Sequence, residues 1–248
     1  MTSTMATPVV QTRSRAYGIG VTVVVGVHMV LWGIVMLGGW LYWDDFILQG
    51  QAARLGLTSD LLLNNHDGHV MPATYLVVWL IQEAAGLNYA LVAGTMLLGE
   101  IALIVAAVVA FTALLGRRVE TVVALAVFLL APIMMPALTW WAAALTIVPL
   151  ATCALFATVA HVRYLQNGSR AALVTTFALV AVALSFFEKS LLIPGWLFLV
   201  FRQEQVNRLV LLFGFVPLTL VLVIIYVTTW LTFRASRRSR RWNSSGFA

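Results

Sequence analysis

Asp44 and Asp45 stand side by side in WDDFILQG, directly after an apolar run, Tyr17 to Tyr42, that carries no formal charge. Adjacent carboxylates repel each other, and partial burial at a membrane interface raises their pKa further. One such group suits a general base acting on an acceptor hydroxyl, and a pair suits a shared divalent cation. The competing reading is a helix cap, because Asp is a favoured N-cap and FILQGQAARL reads as a helix start.

Two more stretches carry groups able to do chemistry. NNHDGHVMP sets His66 and His69 around Asp67, three potential ligands in four positions. Asn, Asp and Gly also mark a turn there, with Pro72 opening the next helix. The imidazoles suit a phosphate or sugar as well as a metal. Asp44, Asp45, His66 and His69 are the residues a divalent cation would use, and metal use stays open. FFEKSLLIPGW then places Glu188 beside Lys189, the chain's only lysine, between two apolar runs. A cation at that depth is costly unless paired or used, so Lys189 is a candidate phosphate contact; the alternative is a hydrated turn or a snorkelling side chain. Arg54 reads as an exposed helical arginine within reach of a phosphate. His28 and Glu100 lie inside apolar runs and read as helix-packing groups, Glu100 facing other helices rather than lipid.

The elements that must hold these residues follow from composition. Of 248 residues, 62% are hydrophobic and 10% charged, and mean hydropathy is +0.96. No soluble domain hides that much apolar surface, and the runs are continuous rather than alternating. The class is therefore all-α, a polytopic membrane protein. Tyr17–Tyr42 is too long for a signal-peptide core and lacks a small-residue cleavage site, so it reads as a retained span. A single cysteine, Cys153, excludes an intrachain disulfide or thiolate cluster. The net charge of +6 collects at the ends and short loops. It signals orientation and contact with anionic membrane lipids, not nucleic acid. No P-loop, dinucleotide fingerprint, serine elbow or zinc-protease helix is present.

Residues 1–16 read as a mobile cytoplasmic N-terminus, 17–233 as one membrane domain, and 234–248 as a basic tail. Arg13 and Arg15 before the first span place the N-terminus inside. The segment 43–89 becomes an external loop with interfacial helices, and MPATYLVVWLIQEAAG is too short to span. Spans follow at 90–115, 119–138, 142–162, 171–187, 191–201 and 209–233, making seven with the first. Pro132, Pro136 and Pro149 are expected to kink them. The tail RASRRSRRW lands outside in this count, against the positive-inside tendency.

The aspartates of WDDF, the loop with interfacial helices, and HDGHVMPATYLVVW together resemble the GT-C class of membrane glycosyltransferases. FFEKSLLIP is similar to a later segment of some actinobacterial members. The resemblance implies a polyprenyl-phosphate-linked sugar donor, an acceptor outside the plasma membrane, and a membrane module of about seven spans. It also implies a first-loop acid as base, here Asp44 or Asp45. His66, Asp67, His69, Glu188, Lys189 and Arg54 would then serve the donor's phosphate or sugar. Relatives continue with further helices, so the chain reads as a short or truncated member. The alternatives are a non-catalytic module that binds a lipid carrier or a partner membrane subunit, and a small transporter or flippase.

Overall fold

The computed structural model describes residues 8–202, with side chains from Arg15 to Leu197. The seventh predicted span and the basic tail lie outside the described residues. The fold is almost wholly helical, and three helices are long and apolar enough to cross a membrane, or four if one bent pair is a single span. These are α1 (Pro8–Leu37), α5 (Tyr89–Leu115) and α8 (Trp141–Asn167). The bent pair is α6 (Val119–Leu129) and α7 (Met135–Thr139), joined through a short 3-10 turn at Pro132–Met134 and bent by 40°. The two prolines there lack the N–H that a continuous helix needs.

α9 (Arg170–Phe186) is apolar but shorter, and α10 (Leu192–Arg202) follows a second 3-10 turn at Glu188–Leu191. Between α1 and α5 lie α2 (Asp44–Leu55), α3 (Ser59–Leu62), the strands β1 (Asn65–His66) and β2 (His69–Val70), and α4 (Pro72–Ala85). At 1.5 Å per residue α4 is about 21 Å long, short of the ~30 Å hydrocarbon core. It packs on α2, α3 and α9 instead.

Core and lipid-type faces segregate clearly. α8 packs along both α5 and α9, burying Leu145, Val148, Ala157 and Val159. Ile34, Leu98 and Phe177 point outward at 69%, 69% and 67% exposure, a surface that water would not tolerate over such lengths but lipid does.

Both boundaries of the first predicted span change, and the predicted 142–162 span runs on to Asn167. Helix α1 begins at Pro8, so residues 8–16 extend the first helix rather than hanging free of it. Its other end is Leu37, not Tyr42. The cause is Gly38–Gly39: a Cβ on Gly39 would collide with the Tyr89 hydroxyl, which reaches the Met36 carbonyl at 2.6 Å. Trp40 then stacks on Tyr89 with centroids 6.0 Å apart, and Tyr42 meets Trp140 edge-on at 6.1 Å. In the third predicted span, the run 119–138, the kink is a full break at Pro132, whereas α8 continues through Pro149.

Candidate functional site

The chain leaves α1 through Trp43, whose φ of 44° is rare for a bulky residue, and enters α2 with both aspartates in its first turn. Adjacent helical positions diverge by about 100°, so the two carboxylates point different ways. Asp45 is fully buried. Its Oδ2 accepts the N–H of Tyr42 at 2.8 Å, and its Oδ1 accepts the N–H of Ala142 at 2.8 Å. The Trp140 indole leans toward it without reaching hydrogen-bond geometry. Asp45 is thus a cap, as one sequence reading held, but for the N-terminus of α8 rather than for its own helix. Burial pushes its pKa up to about 6; the Tyr42 and Ala142 N–H bonds oppose that rise, and Asp44 adds to it.

Asp44 is half-buried and faces the loop. Its Oδ2 lies 3.9 Å from His66 Nε2. Burial raises its pKa, His66 pulls it back, and Asp67 raises it again.

His66 and His69 are brought together by the shortest possible device. Asp67 and Gly68 take φ of 52° and 92°, the mirror-type turn that closes a two-residue hairpin. Asn65 Oδ1 accepts the Gly68 N–H at 2.8 Å and fixes the turn. The register pairs His66 directly with His69, so their side chains project from one face of the ribbon. His69 Nδ1 meets Glu188 Oε1 at 2.5 Å, and its ring packs edge-on against Phe187 at 5.3 Å. The Lys189 ammonium sits over the Phe187 ring, 4.7 Å from its centroid, and is exposed. One face therefore carries two acid–imidazole pairs, Asp44 with His66 and Glu188 with His69, bordered by a lysine.

The other sequence candidates divide. Asp67 sits at the hairpin turn, exposed, and acts on Asp44 and Tyr75 through its charge. Arg54 is exposed in the last turn of α2, roughly 15 Å along that helix from Asp44. Among the described residues no three His, Cys, Asp or Glu side chains converge as a cation site requires. Both oxygens of Asp45 already accept backbone N–H groups, so Asp45 has little to offer one.

The sequence reading missed the polar residues behind the hairpin. Tyr75 is fully buried and donates to Gln51 Oε1 at 2.7 Å; burial raises its pKa to about 12 against the lowering hydrogen bond from Asn64. Thr74, also fully buried, donates to the Phe186 carbonyl at 3.0 Å and lies 3.5 Å from the Leu145 carbonyl. Pro149 has no N–H to offer Leu145, so that carbonyl needs an outside donor. The signal was present: Thr74 and Tyr75 are the only hydroxyl residues of α4 and open a helix whose next six residues are all apolar. Below the site, Thr95, Gly99, Trp141, Ala144, Val148 and Pro149 line a shallow apolar groove between α5 and α8.

Fold and composition together define a helical protein with several helices able to cross a membrane. No known protein family, no curated protein and no solved structure matches the chain.

Proposed function

We propose that this is a multi-pass plasma-membrane protein of seven spans, its N-terminus cytoplasmic and residues 43–89 outside. We infer that it is a GT-C-like module transferring a sugar from a polyprenyl-phosphate donor to an acceptor hydroxyl at the outer face. The observation that carries this reading is the hairpin pairing of His66 with His69, which aligns two acid–imidazole pairs beside Lys189.

Of the two aspartates, Asp44 is the better base, since Asp45 is buried with both oxygens occupied. A carboxylate with a raised pKa suits proton abstraction near neutral pH. The acceptor O–H proton passes to Asp44 while the acceptor oxygen attacks the anomeric carbon. The bond from that carbon to the phosphate oxygen breaks, and the phosphate keeps the electron pair. Lys189 steadies the leaving phosphate, and Glu188 orients His69 toward it. The apolar groove between α5 and α8 supports a donor whose chain stays in lipid.

A second reading is a module that holds a lipid carrier or a partner subunit without turnover. The occupied state of Asp45 favours it, since one of the two first-loop acids is then structural. Sugar transfer by the purified full chain separates them. Transfer that Asp44→Asn lowers by roughly a hundredfold or more supports the base. Donor binding without transfer supports the second reading, and full activity in Asp44→Asn removes Asp44 from the mechanism.

A further inference from the structure

Away from the outer face, His28 of α1 and Glu100 of α5 meet in the interior, each 1% exposed. His28 Nε2 lies 2.7 Å from Glu100 Oε1, and His28 Nδ1 lies 2.9 Å from the carbonyl oxygen of Leu129. Leu129 is the last residue of α6, so its carbonyl has no partner within its own helix. Three helices therefore meet on one imidazole, just before the break that leads into α7.

We propose that His28 and Glu100 form an intramembrane proton-binding site that pins the end of α6 to α1 and α5. The argument is one of donors and acceptors. A carbonyl oxygen only accepts, so Nδ1 carries a hydrogen and donates it to Leu129. Nε2 and Oε1 stand at hydrogen-bond distance, which two bare lone pairs in an apolar interior would not sustain. A proton lies between them. It belongs to the pair, whether written as carboxylic acid with neutral imidazole or as carboxylate with imidazolium. Both forms hold the same number of protons. Glu100 Oε2 has no partner among the described residues, so no second donor is at hand to replace that proton.

Loss of the proton has a definite structural effect. It leaves Nε2 facing an unprotonated oxygen, or forces the imidazole to turn its hydrogen from Leu129 toward Glu100. Either way one of the two bonds that His28 makes, to Leu129 of α6 or to Glu100 of α5, is lost. The site lies about 16 Å along α5 from Tyr89, near the middle of a helix long enough to span.

Other charged or titratable groups on the packed elements stand well away along their helices. On α1 they are Arg13, Arg15 and Tyr17, toward its start; on α5, Tyr89; and on α6, Glu120 in the first turn. On α8 they are Cys153 near its middle and His161, Arg163 and Tyr164 in its second half, and α7 carries none. The pair goes beyond the outer-face reading and does not depend on it.

The test is solid-state nitrogen NMR of the histidine-labelled full chain in lipid bilayers, with Glu100→Gln identifying the His28 signals. We expect a protonated Nδ1 in a hydrogen bond to a carbonyl and a strongly hydrogen-bonded Nε2. In Glu100→Gln the amide N–H donates to Nε2, so the fold persists while the acid–imidazole signature disappears. A His28 that carries its only hydrogen on Nε2, or whose Nε2 shows no hydrogen bond, overturns the proposal. So does a Glu100→Leu variant with unchanged His28 signals.

Discussion

Asp45 Oδ1 accepts the Ala142 N–H at 2.8 Å, tying the first turn of α2 to the start of α8 across 97 residues. The bond does two things at once. It satisfies an orphan donor at a buried helix end, and it fixes the reach of the loop that carries Asp44 and the hairpin. Asp45→Ala leaves the Ala142 and Tyr42 N–H groups unmatched, at a cost of about 1–3 kcal/mol. A drop in thermal midpoint in detergent checks this; Asp45→Asn, which keeps one acceptor oxygen, should fall less far.

The same residue sets a pH signature. Its folded pKa of about 6 lies above the ordinary 3.8, so the folded state binds the proton more tightly than the unfolded one. Its contribution is complete below the unfolded value and drains away as pH rises through about 6. At 1.36 kcal/mol per unit the change is of order 3 kcal/mol at most. Thermal midpoints of the wild type should decline between about pH 4 and about pH 6, and Asp45→Asn should remove that component. A rising wild-type curve over the same interval would contradict the burial argument.

His69 and Glu188 should matter for binding rather than for stability. Their side chains are 33% and 40% exposed, so solvent screens the pair and its loss should cost no more than about 1 kcal/mol. Under the proposed function, Glu188→Gln should raise the donor KM more than it lowers kcat. Steady-state kinetics with varied donor read this directly.

Thr74→Val keeps the shape and deletes the hydroxyl shared by the α9 end and the Pro149-released carbonyl. We expect a loss of about 1–3 kcal/mol, because the Phe186 carbonyl is left without its donor. Chemical denaturation in mixed micelles measures it. An unchanged midpoint would mean that another group takes over.

Legibility in the sequence followed the range of the interactions. The Asp67–Gly68 turn was readable because mirror-type turns require residues that accept positive φ. Continuous apolar runs gave the long helices for an equally local reason. The aspartate cap was half readable: residue type pointed to a helix terminus, but the terminus lies 97 residues away. His28 and Glu100 each stood out as polar groups in apolar surroundings, yet nothing local said that they meet each other. The early end of α1 depended on the Tyr89 hydroxyl reaching over Gly39, a tertiary contact that hydropathy does not register.

The six-residue hairpin has a mechanical consequence. Spanning helices change tilt as bilayer thickness changes, and groups mounted on different helices drift apart or together as they do. His66 and His69 are instead spaced by a backbone ladder, about 5.5 Å between Cα atoms for a hydrogen-bonded pair. That spacing is set by covalent geometry and one tight turn. The two imidazoles should keep their separation in thin and thick membranes alike, while the helices around them lean to suit the lipid.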